Sequence, residues 1–432
     1  MKQKPSAINI IWLAMVLIAT VTASYTGTMD AVTKASFESA KGAVTLAIGL
    51  VGPMALWLGL MKIAEAGGLM QAVARGLRPV MVRLFPEVPA EHPAMAAMIM
   101  NMAANMLGLG NAATPMGIKA MQELDKLAAD KGTATNAMCL FLAINTSSVT
   151  ILPLGVITVR AAAGATAPAS ILFPSILATT LSTTVAIIAA KLMAGPDTSL
   201  SGTENGVTLD AGEAGPDPLA ELSPPGPVGR LFILTLVLAF IGGVVWQLSR
   251  QTTSFALSTD AINAVTTWLI PVLIAGFLIY GYLRGVRVYE MLTEGAKEGF
   301  ATTVRIIPFM VAIFVAIGML RASGAMEIMV KVLSPVTELI GMPAEALSMA
   351  LIRPLSGSGA FGLMSEIVTK DPDSFLSFLV STMQGSCETT FYVLAVYFGS
   401  IGVIRTRHTL PAALCADAAG LLGSVLICRL WF

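Results

Sequence analysis

Stretches of about 20 apolar residues recur along the whole chain, and each is long enough to carry a helix across a lipid bilayer. No other feature constrains the fold as strongly. Inside a bilayer every backbone amide must be paired within the protein, which leaves helices or closed barrels. A barrel would alternate apolar and polar positions over segments of about ten residues. Continuous runs such as Leu231–Trp246 argue for helices instead. Composition agrees: 55% of the 432 residues are hydrophobic and 12% are charged, about half the charged share of a soluble domain. These values exclude a disordered chain, a coiled coil and an ordinary cytosolic enzyme. The expected fold is an all-α polytopic membrane protein whose first partner is the lipid bilayer.

About nine spanning segments are expected, near 8–24, 43–64, 133–160, 168–193, 229–249, 262–284, 300–320, 374–402 and 407–431. Two further apolar stretches, 94–114 and 344–366, are interrupted by Gly, Asn, Ser or Pro and are expected to re-enter. Weakly amphipathic segments near 28–42, 68–85, 286–299 and 324–340 suit the membrane interface. Lys2 and Lys4, the apolar Ile10–Val21 and Thr22-Ala23-Ser24 would also suit a cleaved signal peptide; the repeat described next favours a retained helix. Residues 195–228 hold six acids, six prolines and no Lys or Arg, the composition of a solvated linker. They divide the chain into halves at 1–194 and 229–432.

The halves echo one another. Trp57-Leu58-Gly59-Leu60-Met61-Lys62 matches Ala316-Ile317-Gly318-Met319-Leu320-Arg321, and Pro79 and Pro86 match Pro335 and Pro343. The stretch from Asn101 to Gly110 aligns with Arg353 to Gly362, and Asn145–Thr150 aligns with Gln384–Thr389. Basic loop residues orient membrane proteins. Lys62, Arg75, Arg78 and Arg83 follow the second span, but only Arg321 and Lys331 follow its counterpart. The loop near 161–168 has no charge, whereas 403–409 has Arg405, Arg407 and His408. Opposite bias at equivalent loops predicts inverted-topology repeats, with the span at 229–249 supplying the odd crossing. The N-terminus, 68–92, 115–132, the linker and 403–409 would be cytoplasmic, and Trp431-Phe432 outside. Inverted repeats with discontinuous helices are a known design of secondary transporters.

Polar groups in hydrocarbon are costly, so their positions are informative. Asn101, Asn105, Asn111 and Thr114 form one cluster; Asn101 and Asn105 share a helix face, and Gly108, Gly110 and Pro115 interrupt the helix. Asn145-Thr146-Ser147-Ser148 with Thr150 forms a second, suited to an unwound segment whose free groups coordinate a ligand. Such amides and hydroxyls can also simply tie helices together, but both clusters are denser than that requires. In the second half Arg353 precedes Pro354 and the Ser356-Gly357-Ser358-Gly359 turn. Glu388 lies in Gln384-Gly385-Ser386-Cys387-Glu388-Thr389-Thr390. By the repeat, Arg353 takes the place of Asn101, and Glu388 sits beside the Asn145 cluster. The two charges either pair structurally or bind a charged solute or proton.

Other signals carry no site. Met98, Met100, Met102 and Met106 have no accompanying Cys or His, so no metal is expected. The glycine-rich turn lacks a phosphate-loop Lys, and the serines lack a base, since His92 and His408 are both placed in loops. Cys139, Cys387, Cys415 and Cys428 have no paired spacing and fall in apolar segments. No cofactor and no enzymatic activity are expected. Lys+Arg and Asp+Glu balance at 26 each, so nothing draws the chain to nucleic acid.

Two stretches resemble known families. Leu58–Glu65 and Met100-Asn101-Met102-Ala103-Ala104-Asn105-Met106-Leu107-Gly108-Leu109-Gly110-Asn111-Ala112-Ala113-Thr114-Pro115 resemble bacterial spore maturation protein A. Arg353–Ala360 and Gln384–Tyr392 resemble spore maturation protein B. The resemblance covers most of the chain outside the linker and implies a natural fusion of the two. It also implies the nucleoside-recognition or "gate" domain group, which occurs in nucleoside permeases and ferrous-iron transporters.

The expected function is a cytoplasmic-membrane transporter whose inverted halves clasp a small polar or anionic, nucleoside-like solute, coupled to H+ or Na+. Asn101, Asn105, Asn145, Thr146, Ser147 and Ser148 would offer hydrogen bonds. Arg353 would hold an anionic group, and Glu388 a cationic or sugar group or the proton. Self-association into a homo-oligomer is compatible with this. The rival is a non-transporting scaffold in envelope or spore assembly.

Overall fold

A computed structural model describes residues 7–108, 110–147, 149–195, 224–251 and 259–432. Most of the expected linker, and Ser148, lie outside the described residues. Helices alone build the described chain: α1 (Ala7–Thr26), α2 (Met29–Ala66), α3 (Leu69–Leu84), α4 (Pro93–Met106), α5 (Gly110–Leu127), α6 (Asn136–Ser147), α7 (Leu154–Ala162) and α8 (Leu172–Leu192). Then come α9 (Pro227–Gln251), α10 (Thr259–Arg284), α11 (Val288–Ala322), α12 (Ala325–Leu339), α13 (Ala346–Ile352) and α14 (Gly357–Lys370), followed by α15 (Phe375–Ser386), α16 (Thr390–Gly399) and α17 (Thr409–Trp431). The protein is an all-α polytopic membrane protein.

Eight helices repeat in order, α1–α8 and α10–α17, with α9 between them. Each repeat places a left-handed glycine between its second and third helices: Gly68 at φ 82° and Gly324 at φ 79°. The long helices α2 and α11 pack side by side. A Cβ on Gly299 would stand 2.6 Å from the Ala55 Cα, one on Gly295 2.5 Å from the Leu58 carbonyl oxygen, and Gly318 abuts Ser39. Residue numbers rise on α11 as they fall on α2, so the pair is antiparallel. The last helices behave alike: Phe173 stacks on Trp431 at 6.0 Å, Leu181 meets Gly423 and Ser182 meets Gly420. Flanking contacts mirror one another too. Thr26 donates to the Ser323 carbonyl at 3.3 Å, while Tyr280 and Arg284 donate to the Gly67 carbonyl at 2.9 and 2.8 Å. Antiparallel packing of equivalent helices is an inverted repeat.

Among the described residues, four stretches are each long and apolar enough to cross a membrane alone: Met29–Ala66, Pro168–Leu192, Val288–Ala322 and Thr409–Trp431. The expected spans 133–160 and 374–402 are each two short helices with a break. The segments at 28–42 and 286–299, expected at the interface, are instead the first turns of α2 and α11. Nothing in Lys41-Gly42-Ala43 or Gly299-Phe300-Ala301 stops a helix, and the antiparallel partner supports both. At about 1.5 Å per residue the 38 residues of α2 extend about 57 Å, well past a hydrocarbon core of about 30 Å. The stretch 94–114 forms the packed pair α4 and α5, turning at Gly108 (φ 72°). His92, expected in a solvated loop, caps α4 by accepting from the Ala94 amide at 3.1 Å.

Candidate functional site

The broken spans α6–α7 and α15–α16 run in opposite directions. The start of α6 and the loop after α16 join at one end, where the Ala134 amide donates to the Arg405 carbonyl at 3.0 Å. The loops at 163–167 and 371–374 join at the other, where the Thr166 amide donates to the Asp373 carboxylate at 3.1 and 3.3 Å. Between those ends the breaks meet: the Glu388 amide donates to the Thr146 carbonyl at 2.7 Å. Each break is also tied to the turn of its own repeat's hairpin. The Ile151 amide donates to the Met106 carbonyl at 2.9 Å, and the Phe391 amide to the Pro354 carbonyl at 3.1 Å.

On the first-repeat side the asparagines form one network. Asn101 donates to the Ala113 carbonyl at 2.7 Å and to the Tyr397 hydroxyl at 3.1 Å. Asn105 donates to Asn145 Oδ1 at 2.9 Å and to Asn101 Oδ1 at 3.4 Å. The Tyr397 hydroxyl donates to Asn145 Oδ1 at 3.3 Å, and Asn145 donates to the Phe141 carbonyl at 2.9 Å. Asn101, Asn145 and Tyr397 are all buried. Tyr397, from the second repeat, thus completes the first repeat's polar cluster. It was not among the expected site residues, because an aromatic in an apolar run resembles ordinary packing.

On the second-repeat side Arg353 is 3% exposed. Its guanidinium donates to the Thr389 hydroxyl at 3.1 Å, to the Gln384 carbonyl at 3.2 Å and to the Cys387 carbonyl. The Glu388 carboxylate lies 3.7 Å from it, with the Glu388 side chain 48% exposed. One guanidinium therefore holds the end of α15 and the break itself. Thr390 donates to Asp417 Oδ2 at 2.7 Å. Asp417 lies within α17, 2% exposed, and its Oδ1 has no hydrogen-bond partner among the described residues. Asp417 is a second missed residue, and a lone acid in an apolar span was the signal for it.

Other expected residues are placed differently. Thr146, Ser147 and Ser386 are buried and donate to carbonyls three residues earlier on their own helices, so their hydroxyls are engaged locally. Ser356 caps α14, accepting from the Gly359 amide at 3.0 Å, and Ser358 sits half-buried in the first turn of that helix. Thr114 and Thr150 are half-buried. Asn111 lies in the first turn of α5, its side chain outside the description. The repeat register of Arg353 is corrected. Matching the hairpin turns sets Arg353 at the end of α13, opposite Leu107 at the end of α4, not opposite Asn101 a turn and a half earlier. The expected match of Asn145 with Gln384 holds, since α6 and α15 end at Ser147 and Ser386. Within the described residues no group of three or more His, Cys, Asp or Glu could hold a metal.

Paired antiparallel broken spans, clamped where polar breaks meet, define a membrane protein of the inverted-repeat class. The chain belongs to the nucleoside-recognition gate family, whose model matches residues 47–163 and 303–404. It is 47% identical to spore maturation protein A of Bacillus subtilis (strain 168) over 181 residues, 42% of this chain and 92% of that protein. It is 42% identical to spore maturation protein B of the same organism over 174 residues, 40% of this chain and 98% of that protein. A shorter match, 32% identical over 83 residues, links 19% of the chain to 54% of inner membrane protein YjiG of Escherichia coli (strain K12). The chain thus joins an A-like and a B-like part. No solved structure matches it.

Proposed function

We propose that this protein is a cytoplasmic-membrane transporter that binds a small polar or anionic solute where the α6–α7 and α15–α16 breaks meet. The observation that carries this reading is the Glu388 amide to Thr146 carbonyl bond at 2.7 Å. It joins two opposed breaks, one backed by amides and the other by a guanidinium. Helix ends and unwound backbone at such a crossing offer donors and acceptors that a solute can take over. Asn101, Asn105 and Asn145 are engaged with one another and with Tyr397, so this is a closed arrangement, and binding exchanges those bonds for bonds to the solute. Arg353 presents the positive charge for an anionic group, and the exposed Glu388 carboxylate faces a sugar or cationic group. The family's nucleoside-recognition name supports a nucleoside-like solute. In this reading the N-terminus, the linker and the 403–409 loop are cytoplasmic.

A thermal-shift screen of purified protein with nucleosides and small anions tests the proposal. One class should stabilise the wild type, and Glu388→Gln should abolish that stabilisation while still inserting into the membrane. Uptake into proteoliposomes unchanged by Glu388→Gln would remove Glu388 from the site. The names of the two Bacillus relatives favour a second reading, a non-transporting assembly scaffold. That reading predicts that no solute stabilises the protein and that Asn145→Ala and Arg353→Ala fail only through instability.

A further inference from the structure

Asp417 is hard to account for as packing. It sits about two turns into a 23-residue apolar helix, 2% exposed, and offers a bare Oδ1. The charged groups around the α15–α16 break are Arg353, Glu388 and Asp417, one cation against two carboxylates. Glu388 is half-exposed and lies 3.7 Å from Arg353, so the guanidinium and water compensate it. Arg353 also attracts Asp417 from beyond ion-pair distance, but among the described residues no cation forms an ion pair with it. Of the helices packed on α17, α6 and α15 carry no charged residue, and α8 carries only Lys191, exposed in its last turn. On α16 the titratable groups are Tyr392 and Tyr397; in the break Cys387 is a buried thiol. On α17 itself Cys415 is exposed, and Arg429 lies about three turns further along. A carboxylate this buried with no ion-pair partner is costly, whereas one bound proton removes the charge.

We propose that Asp417 is the proton-carrying residue of the transport site. The proton sits on the bare Oδ1, while Oδ2, as the carbonyl oxygen of the acid, accepts from Thr390. A Na+ cage is the weaker fit, because it needs several oxygens around the ion and, among the described residues, the one hydrogen-bonding oxygen on this carboxylate is the Thr390 hydroxyl, which turns its proton toward it. Thr390 opens α16, so rearrangement of the break would withdraw its hydrogen bond, expose Asp417 and release the proton. The coupling role rests on the transporter reading above; the protonated state does not.

Infrared difference spectroscopy of the full-length purified protein, without solute, between acid and alkaline buffers tests this. At neutral pH a carboxylic-acid C=O band is expected that disappears in Asp417→Asn and survives in Glu388→Gln. Absence of the band, or its loss in Glu388→Gln instead, overturns the proposal. Replacing choline chloride by sodium chloride at fixed pH should leave the band unchanged; its loss would make Asp417 a sodium ligand and overturn the proton assignment. Should Asp417→Asn fail to fold, Thr390→Val gives the answer. The band moves to higher frequency if Thr390 donates to the protonated acid, and an unmoved band overturns the assignment. Failure of the solute screen with the band present would sink transport but leave the protonated Asp417.

Discussion

Among the described residues, Tyr397 is the side chain that reaches from the second repeat into the first repeat's asparagine network. Tyr397→Phe leaves Asn101 and Asn145 each short of a buried partner. It should lower stability by about 1–3 kcal/mol, read as a fall in the unfolding temperature in detergent. Gly117→Ala should act the same way, because a Cβ there collides with the Tyr397 hydroxyl and pushes it away from Asn101 and Asn145. His92 gives a pH test outside the membrane. Its Nδ1 caps α4 only when unprotonated, and burial, aided by Lys126 and opposed by Glu123, lowers its pKa below 6.5. The folded state therefore resists protonation. The stabilisation is complete above about pH 6.5 and declines as pH falls through that value toward the lowered folded-state pKa. His92→Asn keeps a capping oxygen and should flatten this part of the pH–stability curve. At this scale the amides were legible because Asn is conspicuous in an apolar run. Tyr397 was not, since its apolar ring hides a hydroxyl whose partners lie about 250 and 300 residues away in sequence.

The breaks are the elements that sequence chemistry foretold best. Asn145-Thr146-Ser147, expected in an unwound segment, instead form the last turn of α6, and the break follows them, just as the break at 387–389 follows Gln384-Gly385-Ser386 at the end of α15. Continuity was harder to foresee. Amphipathic weakness at 28–42 suggested a separate surface segment, but α2 runs through it because α11 covers it from the side. The contact between those helices depends on glycine. Gly299→Leu forces a side chain into the Ala55 backbone and should cost about 1–3 kcal/mol, whereas Gly276→Leu, with nothing within 4 Å of a new Cβ, should change the unfolding temperature little. Agreement between the two variants would remove the close α2–α11 approach from the account of stability.

The order of repeated motifs was legible across the whole molecule, but the register of Arg353 was not. Matching Asn101-Met102 to Arg353-Pro354 ignored that α13 has 7 residues where α4 has 14, and only the hairpin turns reveal the offset. Inversion makes a direct prediction. Single cysteines at Arg78 on α3 and Glu327 on α12, in a chain stripped of its own four cysteines, should react with an impermeant thiol reagent from opposite faces of the membrane. Reaction from one face would overturn the inverted arrangement.

The antiparallel seam between α2 and α11 also has a bearing on assembly. Neither half owns a finished interior, because each contributes one wall of the seam, and Tyr397 of the second half separately completes the asparagine network of the first. Two polypeptides, residues 1–210 and 211–432, should therefore be recovered together at a one-to-one ratio when co-expressed, and each alone should be degraded. For relatives made as separate A and B proteins, the same seam would impose matched synthesis; here peptide linkage sets that stoichiometry at translation.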